Sequence, residues 1–185
     1  MIPLLSLWAP ILLSAVAVFV ASAIVHTVLT YHRSDCDPMP CEDAVMEALR
    51  KFNIPRGDYL VPTPGSPEHM RSAEYQEKFK KGPVFSMTFM SGQLTMGKRF
   101  VQWFAYLVAV GAVAGLLAGH VVAPGASFKH VFKVVGLVAF ASYGLALWQT
   151  SIWYERSWTT TLKSNFDALV YAALTAAIFG WLWPK

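Results

Sequence analysis

Charge is scarce in this sequence, and so is cysteine. Only 14% of the 185 residues are Asp, Glu, Lys or Arg, and the two cysteines are Cys36 and Cys41. Two thiols are too few for a disulfide scaffold. No Lys or Arg precedes Arg33, which argues against a cleaved signal peptide even though Ala21-Ser22-Ala23 imitates a cleavage site. The stretch Phe100 to Ala123 carries no formal charge at all. A Ser-His-Asp order, a metalloprotease motif and a catalytic carboxylate pair are also missing. Ten of the fifteen Lys and Arg lie between Arg33 and Arg99, together with nine of the eleven acids. That mixture is no basic stripe, so nucleic acid is not an expected partner.

What is present is apolar length. Hydrophobic residues make up 55% of the chain, more than a soluble domain of this size hides easily. Four apolar segments are expected to span a bilayer, within 1–32, 100–123, 128–150 and 164–183. Ser127 is the expected cap of the third. Ser164-Asn165-Phe166-Asp167 resembles a capping box at the start of the fourth, with Asp in place of Glu. The fold class is therefore an all-α membrane protein with four transmembrane helices.

Residues 33–98 form a polar insert. Glu42 to Phe52 reads as an amphipathic helix with Val45, Met46, Leu49 and Phe52 on one face. A second helix begins with Ser66 or Ser72 as cap and stops at Gly82-Pro83. Val84 to Met90 alternates like a strand, and Tyr59-Leu60-Val61 is its expected partner in a small β-ribbon. The ribbon's apolar face needs cover from the membrane or the helices. Twelve Lys and Arg on the insert side (Arg156 and Lys163 included) against Lys129, Lys133 and Lys185 put the insert in the cytoplasm and both termini outside.

Two rows of small residues stand out. Gly111, Gly115 and Gly119 repeat every fourth position in the second span, and Ala168, Ala172, Ala176 and Gly180 do so in the fourth. Small side chains let helix backbones approach closely, which makes the two rows natural partners. Polar residues inside a membrane need a partner or a task. His26, Asp167 and Tyr171 fall at similar depth, so His26 is expected to hydrogen-bond Asp167 or Tyr171. The functional reading is a polar or proton-accessible pocket, and the structural reading is an interhelical hydrogen bond.

His32, Cys36 and Cys41 form H-x3-C-x4-C just inside the membrane, a set of donors suited to Zn²⁺ or another transition metal but short of a fourth ligand. No other cofactor is expected. Gly92-Gln93-Leu94-Thr95-Met96-Gly97-Lys98 has the outline of a phosphate loop, but Arg99 stands where Ser or Thr would hold Mg²⁺, so nucleotide binding is not expected. Lys78, Lys80, Lys81, Lys98 and Arg99 suit anionic lipid headgroups better.

Gly57-Asp58-Tyr59, Lys81-Gly82-Pro83, Ser151-Ile152-Trp153-Tyr154, Trp158 to Lys163 and Phe179 to Pro184 carry a resemblance to a group of uncharacterised bacterial membrane proteins. The resemblance extends over the whole chain, including Met1 to Tyr31. It implies a bacterial inner membrane and transfers no activity, cofactor or site. The expected function is a non-enzymatic accessory, scaffold or assembly component, with lipid and other membrane proteins or a second copy as partners. The alternative is a small transporter or a redox- or metal-linked membrane protein.

Overall fold

The computed structural model describes residues 1–90, 92 and 95–185. In chain order the elements are α1 (Trp8–Thr27), α2 (Glu42–Arg50), β1 (Gly57–Val61), α3 (Pro67–Met70), α4 (Ala73–Lys81), β2 (Phe85–Phe89), α5 (Met96–Val121), α6 (Phe128–Tyr143), α7 (Trp148–Tyr154) and α8 (Trp158–Trp181). They divide into two units, Met1–Asp37 with Thr95–Lys185, and Pro38–Leu94. The phosphate-loop-like stretch 92–98 includes Gln93 and Leu94, which lie outside the described residues.

The first unit is a helix bundle. Three of its segments are long and apolar enough to cross a membrane: Leu4–Thr27, Met96–Val121 and Phe128–Tyr154. The third is interrupted after Tyr143, where Gly144 and a 3-10 turn, Leu145–Leu147, connect α6 to α7. A side chain at Gly144 would meet Asn165 at 3.0 Å and Ala168 at 3.1 Å, so the break lies where α8 packs closely.

Helix α8 departs from the sequence expectation. It is 24 residues long but starts at Trp158, ahead of the capping-box reading at Ser164, and it is not among the three segments that qualify as spans. Its first half is too polar. Those polar groups do not end the helix, because they find partners inside the bundle. Ser151 and Thr161 pair their hydroxyls at 2.7 Å, Trp148 Nε1 donates to Asn165 Oδ1 at 3.1 Å, and Asn165 Nδ2 donates to the Thr161 carbonyl at 2.9 Å.

The two small-residue rows do not form a seam with each other. The α5 row packs mainly on the first segment: a Cβ at Gly111 would touch Ile11 at 3.4 Å and one at Gly119 would lie 2.7 Å from the Ile2 carbonyl, while at Gly115 the nearest atom belongs to Phe179 of α8, at 3.2 Å, with Leu7 at 3.4 Å. The α8 row faces α6 instead, with Ala176 against Gly136 and Gly180 under the ring of Phe128. Close approach is thus used twice, α5 with α1 and α8 with α6. Between them runs a core of Leu7, Ile11, Val131, Val135 and Phe179 at one level and Val18, Leu107, Val110, Ala139 and Tyr171 at the other.

The chain ends gather at one end of this bundle. Ile2 N–H donates to the Gly119 carbonyl at 2.8 Å, Trp183 Nε1 to Ala123 at 3.0 Å, and Gly125 N–H to Pro184 at 2.8 Å. At the opposite end α1 stops at Thr27, and a 3-10 turn over Tyr31–Asp35 brings the chain back across α8.

The second unit is a two-stranded antiparallel ribbon with short helices. β1 and β2 pair with Gly57 opposite Phe89 and Val61 opposite Phe85. Both candidate serines act as caps. Ser66 Oγ accepts from His69 N–H and Ser72 Oγ from Tyr75 N–H, so the single helix read from sequence is divided into α3 and α4. Tyr75 is buried and donates its hydroxyl to the Pro62 carbonyl at 3.2 Å. A groove of about 370 Å³ between α2 and the ribbon is lined by Met46, Leu49, Ile54 and Phe89, so Phe89 of the ribbon shares this face with α2.

Candidate functional site

At the end of the bundle away from the chain termini, Asp167 is buried in the first half of α8. Burying a carboxylate costs several kcal/mol unless hydrogen bonds and opposite charge compensate. Both of its oxygens are used. Tyr31 donates its hydroxyl to Oδ1, and His32 Nε2 lies 2.7 Å from Oδ2. The other ring nitrogen, His32 Nδ1, lies 2.6 Å from Asp35 Oδ2. An ionised carboxylate only accepts, so a ring set between two of them donates from both nitrogens, which is the imidazolium form.

The far side of Asp35 is held by Lys163, one turn before Asp167 on α8. Its Nζ donates to Asp35 Oδ1 at 3.1 Å, to Ser34 Oγ at 2.8 Å and to the Tyr31 carbonyl at 2.7 Å. Lys163, Asp35, His32 and Asp167 therefore alternate in charge along one hydrogen-bonded row. Its two outer links, Lys163 to Asp35 and His32 to Asp167, tie the 3-10 turn to α8, and the His32–Asp35 link lies within the turn. The turn makes this possible because it places Tyr31 and His32 at adjacent positions on the same carboxylate.

The electrostatics follow from this row. Burial opposes charge on His32, but the Asp35 and Asp167 carboxylates outweigh it and hold the imidazole above its usual value. Burial raises Asp35, yet hydrogen bonds from His32 and Lys163 bring it below the usual carboxylate range. The Tyr31 phenol is pushed up by burial first and by the Asp167 carboxylate second.

Beside the row is a cavity of about 550 Å³ lined by His26, Arg99, Gln102, Trp103, Asp167 and Tyr171 among others. The three residues singled out within the membrane, His26, Asp167 and Tyr171, all face it. The hydrogen bond expected of His26 to Asp167 or Tyr171 is not made, and Tyr31 and His32 are the partners of the Asp167 oxygens. The His26 ring packs against that of His32 instead, tilted by 40° with ring centroids 4.6 Å apart. Tyr171 is 5% exposed, and its hydroxyl has no hydrogen-bond partner among the described residues. Trp103 anchors the opposite wall, stacking on Tyr106 and donating Nε1 to Ser22 Oγ at 3.0 Å.

The ligand set read from sequence as His32, Cys36 and Cys41 divides differently. His32 directs both nitrogens at carboxylates, while Cys36 and Cys41 are exposed free thiols. Ligand atoms of His26, His32 and Asp167 lie within 4.8 Å of one another. Sequence reasoning missed Tyr31, Asp35 and Lys163. The available signal was the run Tyr31-His32-x-x-Asp35 directly after an apolar span, where acid and base at a three-residue spacing can share one helical turn. No known protein family, curated protein or solved structure matches this chain.

Proposed function

We propose that the chain is a four-span protein of the bacterial inner membrane that binds a small polar ligand at the cytoplasmic end of its bundle. Its role is that of a non-enzymatic accessory component of a membrane complex. Helix α8 supplies the fourth span. Its 24 residues reach about 36 Å at the usual ~1.5 Å rise per residue, and Leu162, Phe166 and Leu169 on its exposed side suit lipid. The excess of Lys and Arg around residues 33–99 orients the insert to the cytoplasm.

One observation carries the binding assignment: the buried Asp167 carboxylate borders a cavity instead of being closed over. A purely structural clamp between the 3-10 turn and α8 needs neither that cavity nor an unpaired phenol on its wall. Aromatic walls with a few convergent polar groups are the usual make-up of a ligand site.

Ser164 lines the same cavity, and Ser164→Cys in a Cys36→Ser, Cys41→Ser background tests the assignment. In inside-out vesicles a membrane-impermeant thiol reagent is expected to modify this cysteine, and a Lys185→Cys control is expected to react only in right-side-out vesicles. A cysteine at 164 that reacts only after denaturation contradicts a water-accessible site. Reversed sidedness contradicts the orientation.

A further inference from the structure

We propose that His26, His32 and Asp167 form a three-ligand site for a divalent transition metal ion, Zn²⁺ being the reference case. This deepens the ligand-binding reading above and rests on it. Two imidazoles and one carboxylate from three places in the chain (the last turn of α1, the 3-10 turn and α8) bring their donor atoms within 4.8 Å of one another. Zn²⁺ accepts such nitrogen and oxygen donors at ~2.0–2.2 Å in tetrahedral geometry, with the fourth position left open to water in sites that are not purely structural.

The surroundings of the ligands match a metal site more closely than the three residues alone. A metal-bound histidine commonly donates its other ring N–H to a carboxylate, which fixes the ring and raises its basicity. His32 does this through Nδ1 to Asp35 at 2.6 Å. The metal-binding carboxylate is in turn held by an outer donor, as Tyr31 holds Asp167 Oδ1. The ion takes the place of the single proton between His32 Nε2 and Asp167 Oδ2, releasing that proton to water. His26, whose side chain makes no hydrogen bond among the described residues, turns from its tilted contact with His32 to supply the third donor.

The second, independent observation is Tyr171. Its hydroxyl is buried and, among the described residues, unpartnered, on the wall that His26 and Asp167 also line. Unpaired buried hydroxyls are uncommon, and each calls for an explanation. A water or anion in the open coordination position gives this phenol a partner. Arg99 on the same wall favours an anion there, because replacing one proton by a divalent ion leaves the row one positive charge richer.

The test uses the full chain purified in mild detergent, stripped with chelator and titrated with Zn²⁺ alone by calorimetry, with bound metal counted after desalting. One equivalent is expected for the wild type and for Cys36→Ser, Cys41→Ser. His26→Gln is the decisive variant, because an exposed side chain with no hydrogen bond leaves the fold intact when changed. It is expected to weaken Zn²⁺ binding by ~100-fold or more, beyond the ~10–100-fold expected for the positioning residue in Asp35→Asn. His32→Gln and Asp167→Asn are expected to abolish stoichiometric uptake. Absence of uptake by the wild type overturns the proposal, as does uptake unchanged by His26→Gln or lost only with the cysteines. Labelling at position 164 with no Zn²⁺ uptake defeats the metal while leaving the binding site in place.

Discussion

Replacing Asp167 with two different side chains separates the hydrogen-bonded centre from the charge it carries. Asp167→Leu leaves the Tyr31 hydroxyl and the His32 ring N–H without acceptors, in a place where the Asp167 side chain is 6% exposed. Each stranded donor costs ~1–3 kcal/mol. Interhelical hydrogen bonds in membrane proteins, measured by mutation, reach only ~1.7 kcal/mol. Taken together these ranges give a loss of about 2–4 kcal/mol for the two donors. Asp167→Asn behaves differently. Its carboxamide oxygen still accepts from Tyr31, and its NH₂ donates to Nε2 of a His32 ring whose proton stays on the Asp35 side. That variant is expected to lose ~1 kcal/mol. The assay is unfolding of the metal-free protein in mixed micelles by added SDS, followed by circular dichroism. Asp167→Leu within ~0.5 kcal/mol of wild type would mean that these two hydrogen bonds do not hold the bundle, since substitutions away from such networks fall in that range. Equal losses for Leu and Asn would show that charge, and not donor satisfaction, holds the centre.

Three further outcomes follow from the same structure. A Cβ at Gly119 meets the Ile2 carbonyl at 2.7 Å, whereas at Gly111 the nearest atom is 3.4 Å away; Gly119→Ala is expected to destabilise by ~1–3 kcal/mol and Gly111→Ala by much less, by the same SDS titration. Tyr171→Phe removes a hydroxyl with no partner, so the metal-free protein is expected to keep or slightly gain stability, while Zn²⁺ release becomes faster in a chelator-exchange assay. The metal-free protein is also expected to be pH-sensitive on both sides. Asp35 is depressed below 3.8, so its contribution is present above that value and lost as pH falls through the lower folded one. His32 is raised above 6.5, so its contribution is complete below that value and lost as pH rises through the higher folded one. Thermal midpoints across pH are expected to show a plateau between these limits, and Asp35→Asn is expected to remove its acid edge.

Much of the bundle was legible because apolar length is a strong signal. The segments at 1–32, 100–123 and 128–150 each correspond to a helical segment long enough to span, the third of them interrupted at Gly144, and Ser66 and Ser72 are both caps. The fourth segment was harder to place. Ser164, Asn165 and Asp167 look like a helix start in sequence, but their side chains are satisfied by the helix itself and by neighbouring elements, so the helix runs through them from Trp158. The partners of the small-residue rows were not legible either, since a row of glycines specifies close approach without naming the helix that approaches. Asp167 shows the limit most clearly. Helical periodicity carried on from α1 points to His26, yet α1 ends at Thr27 and the 3-10 turn delivers Tyr31 and His32 to the carboxylate, 136 and 135 residues away in the chain. Nothing in the local sequence encodes a contact of that range.

X-ray absorption at the zinc edge of the Zn²⁺-loaded protein reads directly the atoms around the proposed ion. The predicted spectrum has only nitrogen and oxygen at ~2.0–2.2 Å, with the outer-shell scattering of two imidazoles, and loses one imidazole in His26→Gln. A sulfur shell at ~2.3 Å would instead assign the metal to Cys36 and Cys41 and contradict the site at Asp167.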